Sequence, residues 1–176
     1  MVDEDNRHFN DIDPDINHFS NDTINCKTYT VDTFRNSFDL ENNSLNIFHN
    51  NAQSIMKHGK LQQYSILFKS IIKKLDVIIF TETWNTEERI NLCSLEGYIP
   101  VHLLRQSTDA IDLKEKGGGV SIFIKDDLEF RKRDDLTIML PYMECLFVEI
   151  CIKEKKYLIG GFYRVPNTNV NLLLKI

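Results

Sequence analysis

The run Val77-Ile78-Ile79-Phe80 constrains the fold of this chain more than any other feature. Four consecutive β-branched or aromatic residues, with no polar position among them, suit a strand buried on both faces of a sheet. What precedes the run fixes how that strand is reached. Leu61, Tyr64, Leu67, Phe68, Ile71, Ile72 and Leu75 recur at helical spacing, with Lys57, Lys60, Lys69, Lys73 and Lys74 on or near the wet side. The pattern predicts an amphipathic helix over residues 61–75 after a turn at His58-Gly59. Further upstream, Leu45-Asn46-Ile47-Phe48-His49 reads as a short strand ending at Asn50-Asn51. Strand, helix, strand is a βαβ unit, so the first two strands should be parallel and the crossover right-handed.

The pattern changes downstream. Residues 98–104 form a strand whose Pro100 suits an edge or a strand start. Gly117-Gly118-Gly119 leads into Val120-Ser121-Ile122-Phe123-Ile124, another strand. Residues 146–152 alternate, Lys153-Glu154-Lys155-Lys156 is a charged turn, and residues 157–163 return antiparallel. The fold class is α/β with a mixed sheet: a βαβ start followed by antiparallel strands. Pro166-Asn167-Thr168 breaks the sheet, and residues 169–176 open a helix.

Net charge is −5 for the whole chain, which argues against a nucleic-acid partner until the chain is divided. Residues 1–44 hold 10 acidic and 3 basic side chains, and residues 45–176 hold 16 and 18. The acidity belongs to an Asn- and Asp-rich segment with too little apolar content to bury, read as a flexible acidic leader. The body is mildly basic, which permits phosphate binding without demanding it. Cys26, Cys93, Cys145 and Cys151 form no CxxC pair and read as free thiols in a reducing compartment. Asp3, Glu4 and Asp5 open a segment with no apolar signal region, and no apolar run approaches the roughly 20 residues of a membrane span. An intracellular protein is expected, nuclear or cytoplasmic rather than secreted.

In α/β sheets the working polar residues gather where strands end. Asn51 follows the first strand, Glu82 follows the second within Thr81-Glu82-Thr83-Trp84, and Tyr163-Arg164 closes the last. If the first two strands are adjacent and parallel, Asn51 and Glu82 stand side by side. An amide oxygen with a carboxylate is a partial shell for Mg²⁺, a hard cation that keeps several waters. The same two side chains serve equally as a turn cap and a solvated carboxylate. The triple glycine enters a strand and is followed by no Lys-Ser/Thr, so it is not a P-loop. Arg131-Lys132-Arg133 is basic enough to track a phosphate backbone, yet Asp134 and Asp135 partly cancel it. No histidine pattern, nucleophile elbow or catalytic triad stands out.

Four blocks carry a resemblance. Asn51-Ala52-Gln53-Ser54-Ile55 looks like the Asn-Ala-Arg-Ser-Ile motif of retrotransposon endonuclease domains, and Thr81-Glu82-Thr83-Trp84 is similar to their Thr-Glu-Thr-Trp. Residues 119–124 and 161–167 match two further blocks in order. From about residue 45 to 169 the chain resembles the endonuclease/exonuclease/phosphatase superfamily, in the apurinic-endonuclease-like branch found in non-LTR retrotransposons of the LINE type. The resemblance implies the N-terminal half of a four-layer α/β/β/α sandwich. It implies Mg²⁺, with Mn²⁺ as a substitute, held by Glu82 as principal carboxylate and by Asn51 directly or through water. Tyr163 becomes the phenol near the scissile phosphate, and Arg164 a phosphate contact. DNA is the implied partner, and phosphodiester hydrolysis that nicks a target site is the implied reaction. Gln53 stands where Arg is usual, which loosens local hydrogen bonding but removes no ligand.

The family's later Gly-Asp-Phe-Asn motif, whose Asp activates water, and its Ser-Asp-His motif, whose His contacts phosphate, have no counterpart. No Gly-Asp, Ser-Asp or Asp-His pair occurs in the sequence. Residues 45–176 are therefore expected to be a truncated domain carrying the metal half of the site, inactive by itself and lacking a C-terminal half-domain as partner. A non-catalytic domesticated fragment that binds nucleic acid or protein is one alternative. A phosphatase-branch member acting on another phosphoester is a second. The superfamily divides its two sheets largely between the two halves of the chain. The helix over residues 61–75 would then cover only one of two apolar faces, and self-association through the other is expected.

Overall fold

The structure, a computed structural model, describes residues 45–71, 75–104 and 117–166 together with Thr168, Thr30 and residues 32–33. The sequence expectations for the rest of the leader, for Ile72, Lys73 and Lys74, and for residues 169–176 lie outside the described residues. In chain order the elements are β1 (Ile47–Asn51), a 3₁₀ turn (Lys57–Gly59), α1 (Lys60–Ser70), β2 (Val77–Thr81), β3 (Tyr98–Leu103), β4 (Val120–Lys125), β5 (Glu129–Lys132), β6 (Ile138–Leu140), β7 (Met143–Ile152) and β8 (Lys155–Arg164). A further 3₁₀ turn lies between β2 and β3, at Ile90–Leu92.

The first sheet has the order β1-β2-β4-β3. β1 and β2 are parallel, with Ile47 opposite Val77 and Asn51 opposite Thr81, as the βαβ reading requires. β4 lies antiparallel to both β2 and β3, and β3 with its Pro100 takes the edge where a missing N–H costs least. In the second sheet β7 runs antiparallel to β8 along its whole length, and β5 and β6 share its other side.

The helix is shorter than its periodicity suggests. Ile71 turns extended at φ −83°, ψ 122°, and its amide bonds back to Phe68. No side-chain cap closes the N-terminus, which starts from Gly59 at φ 67°. Packing therefore holds α1 more than capping does. Leu61 and Phe68 are buried against Ile78, Phe80 and Phe123 of the first sheet. Phe48 joins them edge-on, its ring centroid 5.1 Å from Phe68 and 6.0 Å from Phe80.

The other face of the same sheet is also covered, which corrects the expectation of a wet apolar face. Val77, Ile79, Val120, Ile122 and Ile124 pack against Leu146, Val148 and Ile150 of β7. The chain supplies its own second sheet, so both sides of β2 and β4 are buried within residues 45–166. Gly161 marks the closest approach, since a Cβ there would lie 2.7 Å from Val120 Cγ1 and 3.0 Å from Ile79 Cγ2. The result is a helix, a mixed sheet and a second antiparallel sheet in three layers. On the outer side of the second sheet, Phe162 and Leu158 keep 58% and 51% of their surface exposed.

Two strands, β5 and β6, have no counterpart among the sequence expectations. β5 takes in Arg131 and Lys132 of the basic cluster, and its only apolar residue, Phe130, is too little to mark a strand in the sequence. β7 begins at Met143, three residues earlier than its apolar alternation suggests. The turn into β8 is tighter than the four-residue charged turn expected. Lys153 and Glu154 alone make it, both at positive φ, the left-handed pair a two-residue hairpin needs.

Candidate metal and phosphate site

The ends of the strands meet at one edge of the sandwich. Asn51 closes β1 opposite Thr81, and Glu82 is the next residue. Beyond the strands the two segments stay joined: the Ala52, Ser54 and Ile55 amides donate to the Thr81, Glu82 and Thr83 carbonyls at 2.8, 2.8 and 3.1 Å. On the far side, Thr83 and Trp84 donate to the Gly119 and Gly118 carbonyls, each at 3.1 Å. The segment 82–84 is thus gripped from both flanks.

Backbone strain concentrates here. Gln53, Ser54, Glu82 and Trp84 all have positive φ, between 44° and 72°, although none is glycine. Such conformations cost of order 1–3 kcal/mol each and persist where the surroundings over-determine them. The hydrogen bonds just described do so. Lys60 adds to the hold, its ammonium reaching the Ala52 and Gln53 carbonyls at 2.6 and 3.1 Å.

Asn51 is exposed, and its Oδ1 accepts the Gln53 amide at 3.3 Å, the turn-capping contact that the sequence left open. That bond leaves the oxygen a second lone pair. Glu82 is half-buried, and among the described residues no hydrogen bond or ion pair engages its carboxylate. Next to it, the Thr83 hydroxyl and the Trp84 indole N–H are buried without a partner. The Asn51 amide oxygen and the Glu82 carboxylate are the donor types that a hard divalent cation takes. Among the described residues there is no group of three or more His, Cys, Asp or Glu side chains placed to hold a metal.

No protein-family model matches the chain, and no curated protein matches it.

The second sheet reaches the same edge through Glu144. This residue, 3% exposed, accepts the Gly119 amide on Oε2 at 2.5 Å and stands opposite Tyr163 in the β7–β8 register. Tyr163 is buried on the inner face among the residues between the sheets. Asn51, Glu82 and Tyr163 therefore share one end of the sandwich, linked through Thr81, Thr83, Gly119 and Glu144. Arg164 follows the pleat to the other side, where its Nη1 donates to the Thr168 carbonyl at 3.2 Å.

Glu144 is the residue the sequence reading missed. Extending the inward series Leu146, Val148, Ile150 back by one step puts a carboxylate in the core. The basic cluster, by contrast, is spent within the chain. Arg131 and Arg133 reach Glu149 at 3.0 and 3.1 Å, Arg133 also holds Asp135, and Lys132 holds Asp134. Those contacts keep Asp135 and Glu149 below the usual carboxylate range, chiefly through the hydrogen bonds from Arg133 and Arg131 respectively.

Elsewhere in the first sheet His102 bonds Ser121 Oγ at 2.8 Å, and burial pushes its imidazole down to about 4. Cys93 and Cys145 are buried free thiols, and burial holds both above their ordinary range.

Proposed function

We propose that this chain carries the metal-binding half of a magnesium-dependent phosphodiesterase site that acts on DNA, of the kind that nicks target sites for LINE-type retrotransposons. The observation that carries the reading is the meeting of Asn51, Glu82 and Tyr163 at one edge, on a strained and doubly gripped backbone. In this proposal Glu82 and Asn51 hold Mg²⁺ or Mn²⁺, with water completing the shell. The bound ion would stabilise charge on the phosphate and the leaving oxygen. Tyr163 directs its phenol toward the phosphate, while Arg164, whose guanidinium is turned to the Thr168 carbonyl on the other side of the pleat, is left out of the shell. A fourth layer, over the outer side of the second sheet, belongs to this reading of the domain.

The sequence has no Gly-Asp or Asp-His pair to activate water or complete the phosphate shell. The 176-residue chain is accordingly proposed to bind metal without cutting. A second reading, a non-catalytic fragment that binds nucleic acid or protein, gains weight from the buried β2 and β4 faces, which show a core that the chain builds for itself. Among the described residues no helix is long and apolar enough to cross a membrane.

Trp84, the single tryptophan, lies two residues from Glu82 and reports on the site. Titration with Mn²⁺ should change its emission with a weak, ~millimolar dissociation constant, as expected of a site with few protein oxygens. Glu82→Ala should abolish the response and Asn51→Ala should weaken it. An identical titration in both variants would overturn the metal assignment.

A further inference from the structure

We propose that Glu144 is a positioning residue for this site: from the second sheet it anchors Gly119, and Gly119 sets where the Glu82–Trp84 segment stands. The inference rests on the metal-site reading of Glu82 and extends it to a residue that touches neither metal nor substrate.

A carboxylate 3% exposed is expensive to bury unless its charge is met by donors. Glu144 spends one oxygen on a backbone N–H, Gly119 at 2.5 Å, a short charge-assisted bond. Gly119 is itself held at φ 84°, and its carbonyl accepts the Thr83 amide at 3.1 Å. One peptide earlier, the Gly118 carbonyl accepts the Trp84 amide at 3.1 Å. These two acceptors pin the residues that follow Glu82, where φ is 50° at Glu82 and 53° at Trp84. Releasing Gly119 would let that backbone relax toward ordinary angles and swing the Glu82 carboxylate away from Asn51. Glu144 also stands opposite Tyr163 in the β7–β8 pairing, so the anchor and the tyrosine lie at one level of the second sheet.

The test compares wild type with Glu144→Gln, which keeps the shape and removes the charge, and Glu144→Asp, which keeps the charge and withdraws it by one methylene. Amide hydrogen exchange of the metal-free chain is read at Gly119, Thr83 and Trp84, beside Mn²⁺ titration followed by Trp84 emission. Exchange at those three amides should accelerate at least ~10-fold while the β2 amides stay protected, and Mn²⁺ affinity should fall about 10- to 100-fold, the range for partners that orient a metal ligand. Unchanged exchange at the three amides overturns the proposal. So does acceleration spread evenly over the sheet, which marks a residue that only stabilises the fold. If Glu144→Gln does not fold, Glu144→Asp decides by the same criteria. A wild-type chain that binds no Mn²⁺ overturns the metal reading, and local acceleration in the variants then still establishes the anchor.

Discussion

The Thr83 hydroxyl oxygen lies 2.5 Å from the point where a Cβ on Gly119 would sit. No side chain fits there, and the φ of 84° disfavours one in any case. Gly119→Ala should therefore destabilise the chain by about 2–4 kcal/mol, in the range of a steric clash combined with backbone strain. Gly59→Ala is the control. Its φ is 67°, but the nearest atom to a new Cβ is Gln62 Oε1 at 3.6 Å, so the cost should be only about 1 kcal/mol. Urea melts of the two variants check the order, and equal losses would show that the Thr83 contact is not tight.

Stability should depend on pH through His102. Burial lowers its imidazole from 6.5 to about 4, so the unfolded chain takes up a proton that the folded chain refuses. That contribution is complete above pH 6.5, is lost as pH falls from 6.5 to 4, and is level below. A loss of roughly 1–2 kcal/mol is expected, the full shift being discounted because the ring keeps some exposure. His102→Gln should flatten this window in denaturant melts. A slope that survives the substitution would move the cause to another group.

The chain alone should not nick supercoiled plasmid DNA in Mg²⁺ or Mn²⁺. General acid–base help is typically worth about 10²–10⁴-fold, and this sequence lacks the pairs that would supply it. Nicking that disappears in Glu82→Ala would prove the chain a competent enzyme, and nicking that persists would mark a contaminant.

The outer side of the second sheet should govern self-association. Phe162 and Leu158 are more than half exposed there, and Phe147 meets Phe162 edge-on at 5.2 Å. Contiguous apolar surface beside a ten-residue strand favours pairing with a second copy. Phe162→Lys with Leu158→Lys should reduce concentration-dependent association in sedimentation, with little change in melting temperature. Association that is unaffected would place the contact elsewhere.

The βαβ start was legible because two periods carry it. Residues 61–75 repeat at helical spacing and Val77-Ile78-Ile79-Phe80 leaves no polar face, so a helix feeding a doubly buried strand was the economical solution. The parallel direction of the first two strands followed from that connection, and the structure adds the register that sets Asn51 opposite Thr81. Where the pattern weakens, legibility fails. β5 has one apolar inward residue, Phe130, and Arg131 finds its partner, Glu149, on β7, remote in sequence. The helix ends at Ser70 although apolar spacing continues, because spacing records which side is buried and not where the backbone turns.

The sequence by itself determined the fold class, the first two strands and the strand-end positions of Asn51, Glu82 and Tyr163, since local periodicity and chain connectivity suffice for those. Only the tertiary structure decided what covers the second face of β2 and β4, and only it brought Glu144 to Gly119. The physical reason is common to both. A strand states that it has two faces to bury, but the partner for each face is chosen by packing between segments far apart in the chain. A buried carboxylate likewise shows its purpose only when its hydrogen-bond donor, here on the other sheet, is in place.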